Sequence, residues 1–309
     1  MSNWGVAIKD ILYAIGKTSL GQLVHATDAA KHTPYSCLCC DQPFILRQGQ
    51  RKRPHFAHKA LTTNCTPETA LHHGFKTLLF ERIQHHIEQR SPLEFEWKCD
   101  KCHGSHRGNL IKKAASVALE HSLGSRTPDI ALLNEAGNPV AVIEVVVTHA
   151  PDPEAMVYYG NNNIPVILYA LRSDTEMNRI DYPILQPDSV SVCLNPKCPD
   201  CGYHKARKRL LIIDTHCWKC TSPMKAAITD GEMLGVDSFS PSDVTIAAQH
   251  GVLIKSQYSK TLRGRYLANT CRECGAFIGG HYLQEDYMLN YGYIDSRIEV
   301  DAGYFCFIC

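Results

Sequence analysis

Cysteines and histidines are the residues of this sequence whose spacing points most directly to chemistry. The 309 residues include 15 cysteines and 16 histidines. Twelve of the cysteines form C-x2-C pairs, at positions 37/40, 99/102, 198/201, 217/220, 271/274 and 306/309. This spacing is typical of tetrahedral Zn²⁺ sites, in which thiolates and imidazoles hold the metal at about 2.0–2.3 Å. We therefore expect three to four structural zinc ions per chain rather than disulfides.

The first predicted zinc site combines a cysteine pair with a histidine pair further along the chain. Its ligands are Cys37, Cys40, His55 and His58, in a C-x2-C and H-x2-H arrangement. A set of four protein ligands leaves no position for a catalytic water, so this zinc is expected to be structural.

The remaining pairs leave more than one ligand set open. Cys99 and Cys102 need two further ligands, and the candidates are His103 with His106 or, as the favoured pair, Cys193 with Cys198. A zinc ribbon is predicted from two knuckles, Cys217/Cys220 and Cys271/Cys274. Four further candidates either form a fourth site or compete for one of the others: Cys201, His204, Cys306 and Cys309.

Two carboxylates form a candidate site of a different kind. Glu144 is the one charged residue in the apolar run 141–147, and Asp129 follows Thr127 and Pro128 at the start of an earlier strand. A buried carboxylate is costly unless it is paired or binds a metal. Two carboxylates that converge across a hairpin suit Mg²⁺ or Mn²⁺. The alternative is that Glu144 pairs with an Arg or Lys of a neighbouring helix.

The elements that must position these carboxylates follow from hydrophobic periodicity. Thr66 and Pro67 start a predicted helix that runs to about Gln89, with an apolar stripe on one face. Strands are predicted at 129–133 and 140–148, joined as an antiparallel hairpin by the turn at 135–138. A helix at 153–159 and a strand at 164–170 follow. Because the run 141–147 is apolar on both faces, helices should cover the sheet on both sides.

Composition and cysteine distribution predict a globular α/β protein in three parts. Residues 1–65 are predicted to be a β-rich zinc module, 66–180 a core with a C-x2-C zinc loop inserted, and 181–309 zinc-ribbon modules. A hydrophobic content of 44% argues against disorder, and a net charge of +1 offers no global basic excess. No apolar run reaches the length of about 18 residues that a membrane span needs. We expect a cytoplasmic protein without a signal peptide.

Five stretches carry a resemblance to a known family: Cys37-x2-Cys40, Arg53-Pro-His-Phe-Ala-His58, His72-x3-Lys76, Pro128-Asp129 and Ile143-Glu144. Together they resemble the competence protein CoiA-like family over about residues 1–170. This resemblance implies a PD-(D/E)XK nuclease fold, a mixed sheet flanked by helices, with a two-carboxylate site that uses Mg²⁺ or Mn²⁺ to process DNA. Asp129 and Glu144 would then be the metal ligands, with Lys76 and His72 on one face of the helix 66–89.

One position departs from the nuclease pattern. The second residue after the glutamate is a lysine in the general signature and is usually glutamine in CoiA-like chains, but here it is Val146. Valine can neither stabilise negative charge nor position a water. Either Lys76 supplies the missing charge from the helix, or the chain keeps the fold without cleavage.

Two basic clusters make DNA the expected partner. One contains Arg47, Arg51, Lys52 and Arg53, and the other contains Lys205, Arg207, Lys208 and Arg209. Each can neutralise phosphates without regard to sequence, or can be an ordinary solvated loop. The predicted function is a DNA-processing nuclease. The alternatives are a non-cleaving zinc-containing DNA-binding or adaptor protein and, third, a zinc-ribbon scaffold that binds RNA. Protein partners, oligomeric state and pathway stay open.

Overall fold

The computed structural model describes residues 11–60, 65–147, 152–230, 239–261, 263–279, 282–283 and 296–309. The chain divides after Leu194 into two compact units. The elements are mixed α and β, with more strand than helix. Within these described ranges, no helix is long and apolar enough to cross a membrane.

The first unit opens with an antiparallel sheet whose spatial order is β2-β1-β3-β4-β5. Its strands are β1 (Ile15–Thr18), β2 (Leu23–His25), β3 (Tyr35–Ser36), β4 (Pro43–Arg47) and β5 (His55–His58). Phe44 and Phe56 stack in its small core with Tyr35 and Cys37. So few buried side chains leave the sheet dependent on further stabilisation.

Helix α1 (Pro67–Glu88) follows, close to the predicted bounds. The Thr66 hydroxyl accepts a hydrogen bond from the Thr69 backbone N–H at 3.2 Å, and Pro67 occupies the first helical position. The predicted apolar stripe is buried, and its members include Leu71, Phe75, Leu79 and Ile83. Lys76 lies among these residues and is only 5% exposed.

A mixed five-stranded sheet in the order β12-β11-β10-β9-β8 forms the centre of the first unit. Its strands are β8 (Ser116–Leu119), β9 (Ile130–Leu133), β10 (Pro139–Val146), β11 (Val166–Ala170) and β12 (Ser189–Val190). The predicted antiparallel hairpin is confirmed, because β9 and β10 pair in that sense. Helix α2 (Pro153–Asn161) connects β10 to β11, which run parallel to each other.

The two faces of β10 pack against different helices, as its apolar run predicted. Ile143 and Val145 belong to the core that contains the buried stripe of α1. Val142 packs instead with Tyr159 of α2. Because side chains alternate along a strand, Glu144 lies on the same face of β10 as Val142, the face that packs against Tyr159.

Two smaller elements complete the first unit. The hairpin of β6 (Glu94–Lys98) and β7 (Ser105–Asn109) surrounds the Cys99/Cys102 knuckle. A 3₁₀ helix (Asp174–Asp181) follows β11 and packs beside α1.

The second unit contains a three-stranded antiparallel sheet in the order β14-β13-β17 and a separate hairpin. Its elements are β13 (Ala206–His216), β14 (Pro223–Asp230), α3 (Pro241–Gln249), β15 (Ile254–Ser259), β16 (Gly264–Asn269) and β17 (Ser296–Phe305). Ala247 of α3 is buried against Leu210 and Ile212 of β13. The sheet therefore has a small core on this face.

Gly16 provides a test of packing in the N-terminal sheet. A Cβ atom at Gly16 would lie 3.0–3.3 Å from three ring atoms of Phe56, a fully buried side chain. We expect Gly16→Ala to lower the free energy of unfolding by about 1–3 kcal/mol, because the Phe56 ring also packs against Tyr35 and Phe44 and would have to shift. Gly49→Ala is the matched control, since nothing lies within 4 Å of the added methyl group. Equal stability of both variants in denaturant titrations would contradict this packing.

Candidate functional site

Among the residues that the structure describes, four clusters of cysteine and histidine side chains can hold a metal ion. Within each cluster the potential ligand atoms lie within 4.8 Å of one another. The four sets are Cys37/Cys40/His58/Cys65, Cys99/Cys102/His106/Cys193, Cys198/Cys201/Cys306/Cys309 and Cys217/Cys220/Cys271/Cys274. All 15 cysteines are free thiols. The members of each C-x2-C pair lie together in one cluster, as their spacing predicted.

The first cluster differs from the predicted set in one ligand. The Cys40 Sγ lies 3.3 Å from the His58 Nε2, and the Cys37 Sγ lies 3.5 Å from the Cys65 Sγ. His55 was wrongly included. Both histidines belong to β5, where residues three positions apart point to opposite faces of the strand. The His55 Nδ1 instead pairs with the Arg53 carbonyl at 2.9 Å.

The second cluster completes the Cys99/Cys102 pair with His106 from one predicted alternative and Cys193 from the other. The His106 Nε2 lies 3.4 Å from both the Cys102 Sγ and the Cys193 Sγ. Cys198 was wrongly assigned to this site. The β6–β7 hairpin brings His106 back over the Cys99/Cys102 knuckle, so no ligand from beyond Leu194 is needed.

The third and fourth clusters lie in the second unit. Cys198 joins Cys201, and its Sγ lies 3.4 Å from the Cys309 Sγ. The two knuckles from which a zinc ribbon was predicted do come together: the Cys217–Cys274 and Cys220–Cys271 sulfur pairs are 3.6 and 3.7 Å apart. These separations are close to the edge of about 3.8 Å that follows from Zn–S bonds in a tetrahedron. His204 does not join a cluster, and its Nδ1 pairs with the Asn195 carbonyl.

Cys65 and His106 are the two ligands that sequence reasoning missed or left undecided. Neither belongs to a C-x2-C pair. Cys65 directly precedes the cap of α1, and His106 lies four residues after Cys102. After the six pairs are removed, the unassigned cysteines are Cys39, Cys65 and Cys193, and two of these complete clusters. For Cys65, the available signal was therefore that it is a cysteine outside the six pairs.

Asp129 lies between α1 and the central sheet and is engaged from both sides. Its Oδ2 lies 3.1 Å from the His72 Nε2 and accepts the Val145 backbone N–H at 2.9 Å. Its Oδ1 lies 3.4 Å from the Lys76 Nζ. Burial alone would raise the pKa of Asp129, but the hydrogen bonds from His72 and Val145 and the charge of Lys76 outweigh it. The net result is a lowered pKa.

Lys76 is held by two carboxylates, one of which the sequence did not indicate. Its Nζ donates to the Glu120 Oε1 at 2.7 Å, in addition to its contact with Asp129. The hydrogen bond and charge of Lys76 lower the pKa of Glu120. Glu120 has a φ of 47°, a conformation that non-glycine residues adopt at a cost and that is common at functional sites.

Glu144 interacts with Asp129 and lines a cavity. Its Oε1 accepts a hydrogen bond from the Tyr159 hydroxyl at 2.7 Å. The pKa of Glu144 is raised to about 7, mainly by burial. The negative charge of Asp129 adds to this increase, and the hydrogen bond from Tyr159 opposes it. Within the described residues, no Arg or Lys forms an ion pair with Glu144. The cavity of about 240 Å³ is lined by Glu144, Tyr159, Arg126 and Asp152, among others.

The two basic clusters differ in how far acidic residues neutralise them. Arg207, Lys208 and Arg209 form ion pairs with Asp301, Asp243 and Glu299, respectively. In the first cluster Arg53 pairs with Asp174, while Arg47, Arg51 and Lys52 are exposed. The first cluster is therefore the better candidate for phosphate contacts.

Comparison with known proteins gave one match. Residues 22–68 match the family model described as Competence protein CoiA, N-terminal domain. This segment runs from the start of β2 to the first turn of α1 and contains all four ligands of the first cluster. The match supports the resemblance to the competence protein CoiA family over residues 22–68. Neither a curated protein nor a solved structure matched the chain.

The corrected ligand sets predict how zinc content responds to substitution. We expect purified protein to hold about four zinc ions, one in each cluster. Cys65→Ser should lower the zinc content by one ion, because it removes a ligand, whereas His55→Gln should leave it unchanged. Elemental analysis of both variants measures this. Loss of zinc in His55→Gln but not in Cys65→Ser would restore the ligand set with both histidines.

The opposite pKa changes of the two carboxylates predict opposite effects on stability. The ordinary pKa of a glutamate is 4.5, and that of Glu144 is raised to about 7. The free energy of unfolding should therefore fall as the pH rises from 4.5 to about 7. The lowered pKa of Asp129 contributes stability that is present above its ordinary value of 3.8 and is lost as pH falls. At pH 8, Glu144→Gln should therefore raise the free energy of unfolding by about 1–3 kcal/mol, and Asp129→Asn should lower it.

Denaturant titrations without added Mg²⁺ or Mn²⁺ measure both effects. The zinc clusters are common to all variants and cancel in the differences. The gain in Glu144→Gln should be smaller at pH 5.5 than at pH 8. A pH-independent loss of stability in this variant would show that Glu144 is stabilised as a carboxylate.

Proposed function

We propose that this protein hydrolyses phosphodiester bonds in DNA with the help of Mg²⁺ or Mn²⁺, on a core of the PD-(D/E)XK type. The observation that carries the proposal is the position of Lys76. This buried cation reaches from α1 to Asp129, whose charge in turn acts on Glu144. A lysine and two interacting carboxylates thus lie together at the end of the central hairpin.

The donor set fits a hard divalent cation. Asp129 and Glu144 offer carboxylate oxygens, and their mutual repulsion contributes to the raised pKa of Glu144. A cation between them would relieve this repulsion. In the described ranges, no cluster of three or more potential ligands includes either residue, so water and substrate oxygens would complete an octahedral shell. When bound, such an ion lowers the pKa of water and stabilises negative charge on a phosphate.

The protein residues around this pair have separable roles. Lys76 replaces the positive charge that Val146 cannot provide, and it can stabilise charge on a phosphate oxygen next to Asp129. Glu120 accepts a hydrogen bond from the Lys76 ammonium group and so helps to hold it beside Asp129. His72 orients Asp129 through its hydrogen bond to Oδ2. Tyr159 orients Glu144 in the same way.

The proposed partner is DNA, and the four clusters are proposed to bind structural zinc. The exposed residues Arg47, Arg51 and Lys52 lie in and just after β4, in the segment that matches the CoiA family model. Phosphate contacts from such a loop would be independent of sequence and would weaken with salt. With four protein ligands at each zinc, the clusters would stabilise the small sheets rather than take part in catalysis.

A second candidate function is DNA binding without cleavage. Val146 favours it, because the general nuclease signature has a lysine at this position. The two carboxylates that hold Lys76 also favour it, since an ion-paired lysine has less charge to offer a phosphate. Cleavage and binding assays on the same protein separate the two functions.

The test uses zinc-loaded full-length protein with plasmid and linear DNA. With Mg²⁺ or Mn²⁺ added, Asp129→Ala and Glu144→Ala should abolish cleavage, and Lys76→Ala should lower the rate by about 10²–10³-fold. His72→Ala should have a smaller effect. Glu135→Ala is the matched control, because this exposed glutamate lies in the turn of the same hairpin and outside the site.

Zinc content and DNA binding are measured in parallel for each variant. Both should be unchanged, since none of the substituted residues is a cysteine-cluster ligand. Full activity in Glu144→Ala would show that the site is misassigned. No cleavage by the wild-type protein on any DNA form, together with retained binding, would favour the second candidate.

A further inference from the structure

The second unit contains a cavity that the proposed function does not use. Its volume is about 380 Å³, which lies in the range of small-ligand sites. It lies between the β13–β14 hairpin end and the turn that follows α3. Pro223, Met224 and Leu253 contribute apolar lining, and Lys225 and Arg272 contribute positive charge.

Lys225 and Arg272 meet at Gly251. The stem of Lys225 passes 3.3 Å from the position that a Cβ atom would occupy at Gly251. The Arg272 guanidinium donates to the Gly251 carbonyl at 3.3 Å. Gly251 has a φ of +85°, which closes the turn after α3 and which other residues rarely adopt. The two cations therefore come from different elements and converge on one turn.

The charges of this cavity do not cancel. Lys225 pairs with Asp214, whose carboxylate also accepts a hydrogen bond from Ser296. Arg272 has no carboxylate partner in the part of the chain that the structure describes. Its backbone lies between Cys271 and Cys274 of the ribbon cluster, which fixes where the side chain begins. The cavity thus has an excess of one positive charge beside an apolar lining.

We propose that this cavity binds the phosphate group of a nucleotide, with the base against its apolar lining. An arginine fork and a lysine together suit the oxygens of a phosphate group. Pro223, Met224 and Leu253 offer a surface for the flat face of a base. A free nucleoside monophosphate and the phosphorylated end of a DNA strand share this chemistry. The proposal is independent of catalysis in the first unit.

The test is calorimetric titration of zinc-loaded full-length protein with 2′-deoxyadenosine 5′-monophosphate. We expect saturable binding, weaker binding of inorganic phosphate and weaker binding of deoxyadenosine. Arg272→Gln and Lys225→Met should each weaken nucleotide binding about tenfold or more, because each removes a charged contact. The matched control is Arg265→Gln: Arg265 is exposed, lies outside the cavity and, like Arg272, donates to a backbone carbonyl.

Competition separates the two sources of the phosphate. A short oligonucleotide with a 5′-phosphate should displace the nucleotide if strand ends are the ligand, and the unphosphorylated oligonucleotide should not. If neither oligonucleotide displaces the nucleotide, the ligand of the cavity is a free nucleotide. Absence of nucleotide binding to the wild-type protein would overturn the proposal, as would an equal loss in Arg265→Gln or undiminished binding in both cavity variants. Zinc content and circular dichroism check that Lys225→Met, which removes no cysteine-cluster ligand, remains folded.

Discussion

The arrangement of the first unit depends on the burial of one positive charge. α1 packs its apolar stripe onto the central sheet, and Lys76 is buried with that stripe. A buried ammonium group is tolerated only where carboxylates compensate it. Asp129 just before β9 and Glu120 just after β8 provide this compensation. The same contacts that allow α1 to dock therefore place Lys76 and His72 beside Asp129 at one end of the sheet. The charge of Asp129 in turn acts on Glu144.

The cysteine clusters meet a different physical need. The N-terminal sheet buries few large side chains, and the second unit divides its apolar residues between two small cores. Cores of this size contribute little stability, so metal binding would supply much of the folding free energy. The first cluster also connects β5 to the residue before the cap of α1, because Cys65 is its fourth ligand. Zinc binding would in this way fix where the helix begins.

Elements with strong periodicity were predictable from the sequence, and ligand sets were predictable only in part. α1 has a cap, a proline and a continuous apolar stripe, and the β9–β10 hairpin has two apolar runs joined by a turn. In every cluster, C-x2-C spacing identified at least one pair of ligands. The set with both His55 and His58 was wrong because strand geometry separates them, and Cys65 has no local spacing signal. The role of Glu120 could not be predicted, because only the fold brings it to Lys76.

A crystal of the full-length protein soaked in Mn²⁺ tests the central claim most directly. Anomalous scattering identifies Mn²⁺ without reference to activity and distinguishes it from zinc at the cysteine clusters. The account predicts one Mn²⁺ peak within bonding distance of the Asp129 and Glu144 carboxylates, with Lys76 beside it. Mn²⁺ bound elsewhere, or a direct Lys76–Glu144 ion pair in place of the metal, would contradict the account.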